Sequence, residues 1–179
     1  RHLRARRYAY PIIKCIIFLL ISMIWFRIIR PQTLFASLCP VLVALLTQTV
    51  SIQWQTAILT IICAVALQIL SNLINDYYDF RRGTDKQRRA LAEGEVTEQQ
   101  MLRACYITLA VCLLTGLYLV WVGGLVILLI GLSALLFAWL YTATSHSLSY
   151  LGIADIFVFL YYGVIASTGT CYLQTGAFS

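Results

Sequence analysis

The stretch NLINDYYDFRRGTD, residues 72–85, sets Asn72, Asn75, Asp76, Asp79 and Asp85 against Arg81 and Arg82. It follows directly on residues 57–70, a run whose only polar members are Thr60 and Gln68. Carboxylates at the end of a membrane-length apolar helix are costly unless they pair, face water or hold a metal, so they mark a functional site by default. The rest of the chain has to supply the membrane context that this reading needs.

Composition supplies it. Hydrophobic residues make up 61% of the 179 and charged ones 11%, against about 45–50% and about 25% in an ordinary soluble domain. Spans of roughly 20 apolar residues recur, and the short period-2 segments of a membrane β-barrel do not. The expected class is therefore an all-α, polytopic transmembrane bundle forming one membrane domain over residues 1–179. The net charge of +6 does not call for nucleic acid as a partner. Every Lys and Arg lies within residues 1–30 or 81–103, so all can sit on one side of the membrane, the cytoplasmic side by the positive-inside rule. That placement also favours anionic lipid or an anionic substrate. The cysteines stand singly in apolar segments without CxxC spacing, which reads as small buried residues rather than metal ligands.

Residues 1–30 form a basic N-terminal segment. A full span over residues 12–29 would put the N-terminal arginines opposite Arg30, against the charge rule. An interfacial or re-entrant helix anchored by Phe18, Trp25 and Phe26 fits better, with an additional span as the alternative. Residues 31–179 then carry five spans. The first, about 34–50, starts after Pro31, a residue suited to the first helical turn, and contains Pro40. The second runs over about 54–74 and delivers the acidic stretch, which Gly83 stops. Thr97 and Gln100 form a capping box that opens the third span. Gly123-Gly124 turns the chain into the fourth, ending near Tyr141, and residues 153–173 form the fifth.

Helical spacing puts Asn72, Asn75, Asp76 and Asp79 on one face. Oxygen donors in such a stripe suit Mg²⁺, which is held by one or two carboxylates together with substrate phosphates, and nearby guanidinium groups would neutralise the rest of a diphosphate. The competing reading is local: Asp76 or Asp79 simply pairs with Arg81 or Arg82. Tyr77 and Tyr78 read as interfacial aromatics.

The motif NDYYDFRRGTD, preceded by LQILSNL, resembles the first aspartate-rich motif of the UbiA superfamily of intramembrane aromatic prenyltransferases, above all its naphthoate branch. RPQTL (30–34), RALAEGEVT (89–97), YLGIADIFVFLYYGV (150–164) and YLQTG (172–176) follow the family's order. The resemblance implies a partial UbiA-type fold and Mg²⁺ as cofactor, with Asn75, Asp76, Asp79 and Asp85 as metal ligands. Asp79 and Asp85 carry the catalytic role. Arg30, Asn72, Asn75, Arg89 and Tyr141 bind substrate, Tyr141 having an interfacial aromatic as its equal alternative. Asp155 lies where the branch has an acid, and His146 receives no role.

The implied reaction is Mg²⁺-dependent transfer of a polyprenyl group from polyprenyl diphosphate to 1,4-dihydroxy-2-naphthoate, giving demethylmenaquinone, in a bacterial inner membrane with the motif facing the cytoplasm. Membrane lipid surrounds the site. Other acceptors such as 4-hydroxybenzoate, or a non-catalytic fragment or transport subunit, are the alternatives. The family carries a second aspartate-rich motif after its sixth span, so the chain is expected to be the N-terminal half, partnered by a missing C-terminal half.

Overall fold

The computed structural model describes residues 21–83, 89–142 and 159–177. All regular structure among these residues is helical: α1 (Ile21–Ile29), α2 (Pro31–Leu46), α3 (Trp54–Arg82), the paired helices α4 and α5 within Glu98–Thr142, a π-helical segment Phe159–Ile165, and α6 (Ala166–Thr175). The chain is an all-helical, polytopic membrane bundle.

Helix α3 is its axis. Its 29 residues extend about 44 Å, more than the roughly 30 Å of hydrocarbon. The polar turns that continue past Ile74 therefore stand at the membrane boundary. Gly83 ends the helix at φ 65°, its N–H donating to the Asp79 and Phe80 carbonyls. Arg81 and Arg82 complement the negative end of the helix dipole.

The expected turn at Gly123-Gly124 is present. Gly124 alone leaves helical geometry, at φ 64° and ψ −150°, dividing α4 (98–123) from α5 (125–142). Cys112 on α4 and Leu135 on α5 both belong to the apolar cluster around Ala66 and Leu70 of α3. In a continuous helix they would lie about 34 Å apart. Leu119 and Ile127 likewise close on Leu173 of α6. The chain thus folds back as a hairpin, and a Cβ on Gly123 would meet Ile127 Cγ1 at 2.2 Å and Leu173 Cδ2 at 3.1 Å. The backbone of Gly124 lies in a region occupied almost only by glycine, where another residue costs of order 1–3 kcal/mol. Gly124→Ala is accordingly expected to lower the thermal unfolding temperature of the detergent-solubilised protein. Gly116→Ala, a change with open space around it and ordinary helical backbone, should leave that temperature unchanged or raise it.

The N-terminal region departs from expectation in form. Instead of a separate interfacial helix followed by a span to residue 50, α1 and α2 meet at a 50° bend and together qualify as one broken span or as a re-entrant pair, the latter in keeping with the re-entrant option. α2 stops at Leu46, Thr47 N–H donating to Val43 O at 3.0 Å. Its 16 residues extend about 24 Å, short of a complete crossing. Pro31 cannot donate an N–H and disfavours α geometry in the residue before it, so Arg30 takes the break, at φ 54° and ψ 72°.

Helices α2, α3 and α6 close around Val41, Leu45 and Ala57. Gln53 N donates to the buried Gln174 Oε1 at 2.8 Å, fastening the start of α3 to the end of α6. Leu114, Trp121 and Leu125 point outward from the hairpin, an apolar exterior that suits lipid and would be an aggregation liability in water.

Candidate substrate and metal site

At the acidic end of α3 the expected stripe is realised on unbroken helix. Asp76 is the most deeply placed acid there, its side chain only 5% exposed; Asp79 is 18% exposed. An isolated buried carboxylate would be strongly unfavourable. Asp76 instead receives two guanidinium groups from distant parts of the sequence. Arg30 Nη2 pairs with Asp76 Oδ1 across the α1–α2 break. Arg89 Nη1 donates to Asp76 Oδ1 at 3.0 Å and to Asp79 Oδ2 at 2.6 Å.

Arg89 is delivered by a short loop with an apolar underside. Ala90, Leu91 and Val96 are buried with Leu73 of α3, Ile28 of α1 and Met101 of α4. Their packing seats the loop like a plug between three helices. Glu93 N donates to Arg89 O at 3.0 Å and Glu95 N to Ala90 O at 2.9 Å, while Gly94 supplies the left-handed turn at φ 71°. The capping box follows as expected: Thr97 N donates to Gln100 Oε1 at 2.9 Å and Gln100 N to Thr97 Oγ1 at 3.2 Å. Outside, Arg27 pairs with Glu95. Burial and charge together hold Arg89 over the acids.

The local pairing considered from sequence has other partners as well. Arg81 reaches Glu98 at 3.6 Å, and the Arg82 guanidinium lies 5.8 Å from the centre of the Tyr78 ring. Tyr77 packs edge-on to Tyr78 and against the loop cluster.

Asn72 occupies a place that its spacing did not disclose. Its Nδ2 donates to Ile29 O at 2.8 Å and to Thr33 Oγ1 at 2.9 Å, and its Oδ1 accepts from Gln68 Nε2 at 3.2 Å. The amide is engaged with the α1–α2 break. Asn75 lies half-buried on the acidic face. Asp85, His146 and Asp155 lie outside the described residues. Tyr141 falls on helical backbone of α5, its side chain outside the description. Sequence reasoning missed Gln68 and Thr33; Gln68, one of two polar residues in the apolar run and four before Asn72, was the available signal.

The donor set can be tested for Mg²⁺. Among the described residues no three His, Cys, Asp or Glu converge as a protein-only cage. Mg²⁺ ordinarily needs only one or two carboxylates, with water and substrate phosphate completing the shell. Asp76 and Asp79 meet that requirement, because a single cationic atom, Arg89 Nη1, already touches both. The carboxylates thus converge on a point that a cation can occupy.

Comparison with known proteins agrees with this architecture. Residues 34–179 match the UbiA prenyltransferase family. The chain is 34% identical over 167 residues to a 1,4-dihydroxy-2-naphthoate octaprenyltransferase of Escherichia coli (strain K12), covering 84% of this chain and 53% of that protein. It is 35% identical over 159 residues to the protein of that name from Mycobacterium tuberculosis (strain ATCC 25618 / H37Rv), with the same shares covered. Against that from Bacillus subtilis (strain 168) the identity is 26% over 161 residues, with 86% and 51% covered. The chain spans about half the length of these curated relatives. An apolar helical bundle with a two-carboxylate, two-arginine cluster at one end, matched over most of its length, belongs to the UbiA prenyltransferase family.

Proposed function

We propose that the full-length protein containing this chain transfers a polyprenyl group from polyprenyl diphosphate to 1,4-dihydroxy-2-naphthoate. The observation that supports this most directly is the meeting of Arg30 and Arg89 on Asp76 and Asp79 at one end of the apolar bundle. A diphosphate needs cations, and an isoprenoid tail needs a hydrocarbon surround; the cluster and the spans offer both. The names of the relatives add the naphthoate acceptor.

In this reading Asp76 and Asp79, joined by Asn75 and Asp85, would hold Mg²⁺, which when bound supplies Lewis-acid neutralisation of the diphosphate. Arg30 and Arg89 bind the diphosphate oxygens and stabilise the charge that develops as the allylic C–O bond breaks and its electron pair leaves with diphosphate. The helices exclude water that would otherwise capture the allylic cation. The electron-rich ring attacks that cation, forming a C–C bond, and the ring carboxylate departs as carbon dioxide. No electrons are lost, so demethylmenaquinone emerges at its quinol level. The second half of the fold would contribute the remaining aspartate-rich motif. In this reading the protein lies in a bacterial inner membrane, as the bacterial sources of the relatives suggest, with the acidic end cytoplasmic, an orientation that the distribution of Lys and Arg supports.

The test uses membranes carrying the full-length protein, given polyprenyl diphosphate, Mg²⁺ and either acceptor. Prenylated naphthoquinol with carbon dioxide release is expected, abolished by EDTA and restored by Mg²⁺. Asp79→Ala should lower the rate at least about 100-fold. Product from 4-hydroxybenzoate alone would overturn the acceptor assignment, and no product from either would overturn the activity.

A further inference from the structure

A chain of buried and half-buried polar groups runs from the π-helical segment to the break at Arg30. Tyr162 Oη donates to Gln68 Oε1. Gln68 Nε2 donates to Asn72 Oδ1 at 3.2 Å, and Asn72 Nδ2 donates to Ile29 O at 2.8 Å and Thr33 Oγ1 at 2.9 Å. Thr33 Oγ1 then donates to Arg30 O at 2.9 Å. Gln68 and Asn72 are both buried. Each amide is used with its oxygen toward one neighbour and its nitrogen toward the next. Rotating Asn72 by half a turn would set its oxygen against the Ile29 carbonyl, so the direction of the whole chain is fixed by the carbonyl at its end.

That end matters because Arg30 is the only non-glycine residue at positive φ among those described. A residue in this conformation persists only where its surroundings over-determine it. The carbonyls on either side of the break are secured, Ile29 O by Asn72 and Arg30 O by Thr33. The side chain of Arg30 reaches Asp76, which Arg89 also meets. The other end of the chain lies in a π-helical segment, a form found mostly in short pieces and frequently at functional sites.

We propose that Tyr162 and Gln68 are positioning residues. Through Asn72 they set the α1–α2 bend and so hold the Arg30 guanidinium where it serves the diphosphate. The bend is fixed by this link whatever the reaction; its catalytic consequence rests on the diphosphate reading above.

Two variants of the full-length protein in nanodiscs test this. Tyr162→Phe removes one hydroxyl and keeps the ring; Gln68→Met removes the amide at near-constant size. In both, amide hydrogen exchange over residues 32–36 is expected to rise about tenfold, the equivalent of one buried hydrogen bond, with exchange in α4 unchanged. The KM for polyprenyl diphosphate should rise and kcat should fall, kcat/KM dropping about tenfold, while the KM for the acceptor stays within about twofold. On an Arg30→Ala background Tyr162→Phe should raise the KM no further, since residues acting through one group are not additive. Unchanged exchange over residues 32–36 in both variants, or an undiminished KM effect without Arg30, would overturn the proposal. Raised exchange in a protein that transfers no prenyl group to any acceptor would establish the link and refute the diphosphate reading, so the two fail separately.

Discussion

Arg89→Ala is expected to lower kcat/KM for prenyl transfer by the full-length protein by about 100- to 1,000-fold, the usual loss when a preorganised group stabilising a developing oxyanion is removed. Arg89 is placed for that role by the packing of its loop together with its ion pairs to Asp76 and Asp79. Ala90, Leu91 and Val96 are buried in the cluster that fixes the loop, and the Arg89 side chain is 17% exposed. Arg89→Lys should recover only part of the loss, because an ammonium lacks the planar fork that addresses two oxygens at once. Steady-state rates with varied polyprenyl diphosphate check both variants. Activity of Arg89→Ala within about threefold of wild type would remove Arg89 from the leaving-group site.

Asp76→Ala is expected to unfold the protein at markedly lower temperature, with a loss of about 3–5 kcal/mol, the range for removing one partner of a buried ion pair. The change leaves Arg30 and Arg89 turned toward each other over a vacated carboxylate. Glu95→Ala provides the contrast. Glu95 pairs with Arg27 where the two side chains are 31% and 52% exposed, and such surface pairs contribute about 0–1 kcal/mol. Thermal unfolding of both variants in one detergent would show the difference directly; equal shifts would mean that Asp76 is not the centre of the cluster.

What the sequence discloses and what it conceals divide along range. The face from Asn72 to Asp79, the Thr97 capping box and the Gly123-Gly124 turn rest on spacings of a few residues, and the helix geometry that relates them is nearly invariant. The partners of the acids were harder. Arg81 and Arg82 are near in sequence, whereas Arg30 and Arg89 approach only after α1, α3 and the loop have packed. A hint existed in RALAEGEV: apolar Ala90, Leu91 and Val96 inside a polar loop call for burial. The bend at Arg30 was less accessible still, since its securing group, Asn72, lies 43 residues away. The stripe put Asn72 among the oxygen donors, and the resemblance implied that it binds substrate, without disclosing what its amide nitrogen meets. That nitrogen is engaged by the Ile29 carbonyl at the break before Pro31.

The hairpin also limits what can be attached to the molecule. Gly124 is the entire connection between α4 and α5, and Gly123 is closed over by Ile127 and Leu173. An epitope or fluorescent label grafted there would have to pry the two helices apart. The connection from α2 to α3 is more accommodating: Val50 and Ser51 are exposed and lie outside regular helix. A reporter meant to reveal which compartment faces this end of the bundle therefore belongs at residues 50–51, where it can be read without dismantling the bundle it is meant to orient.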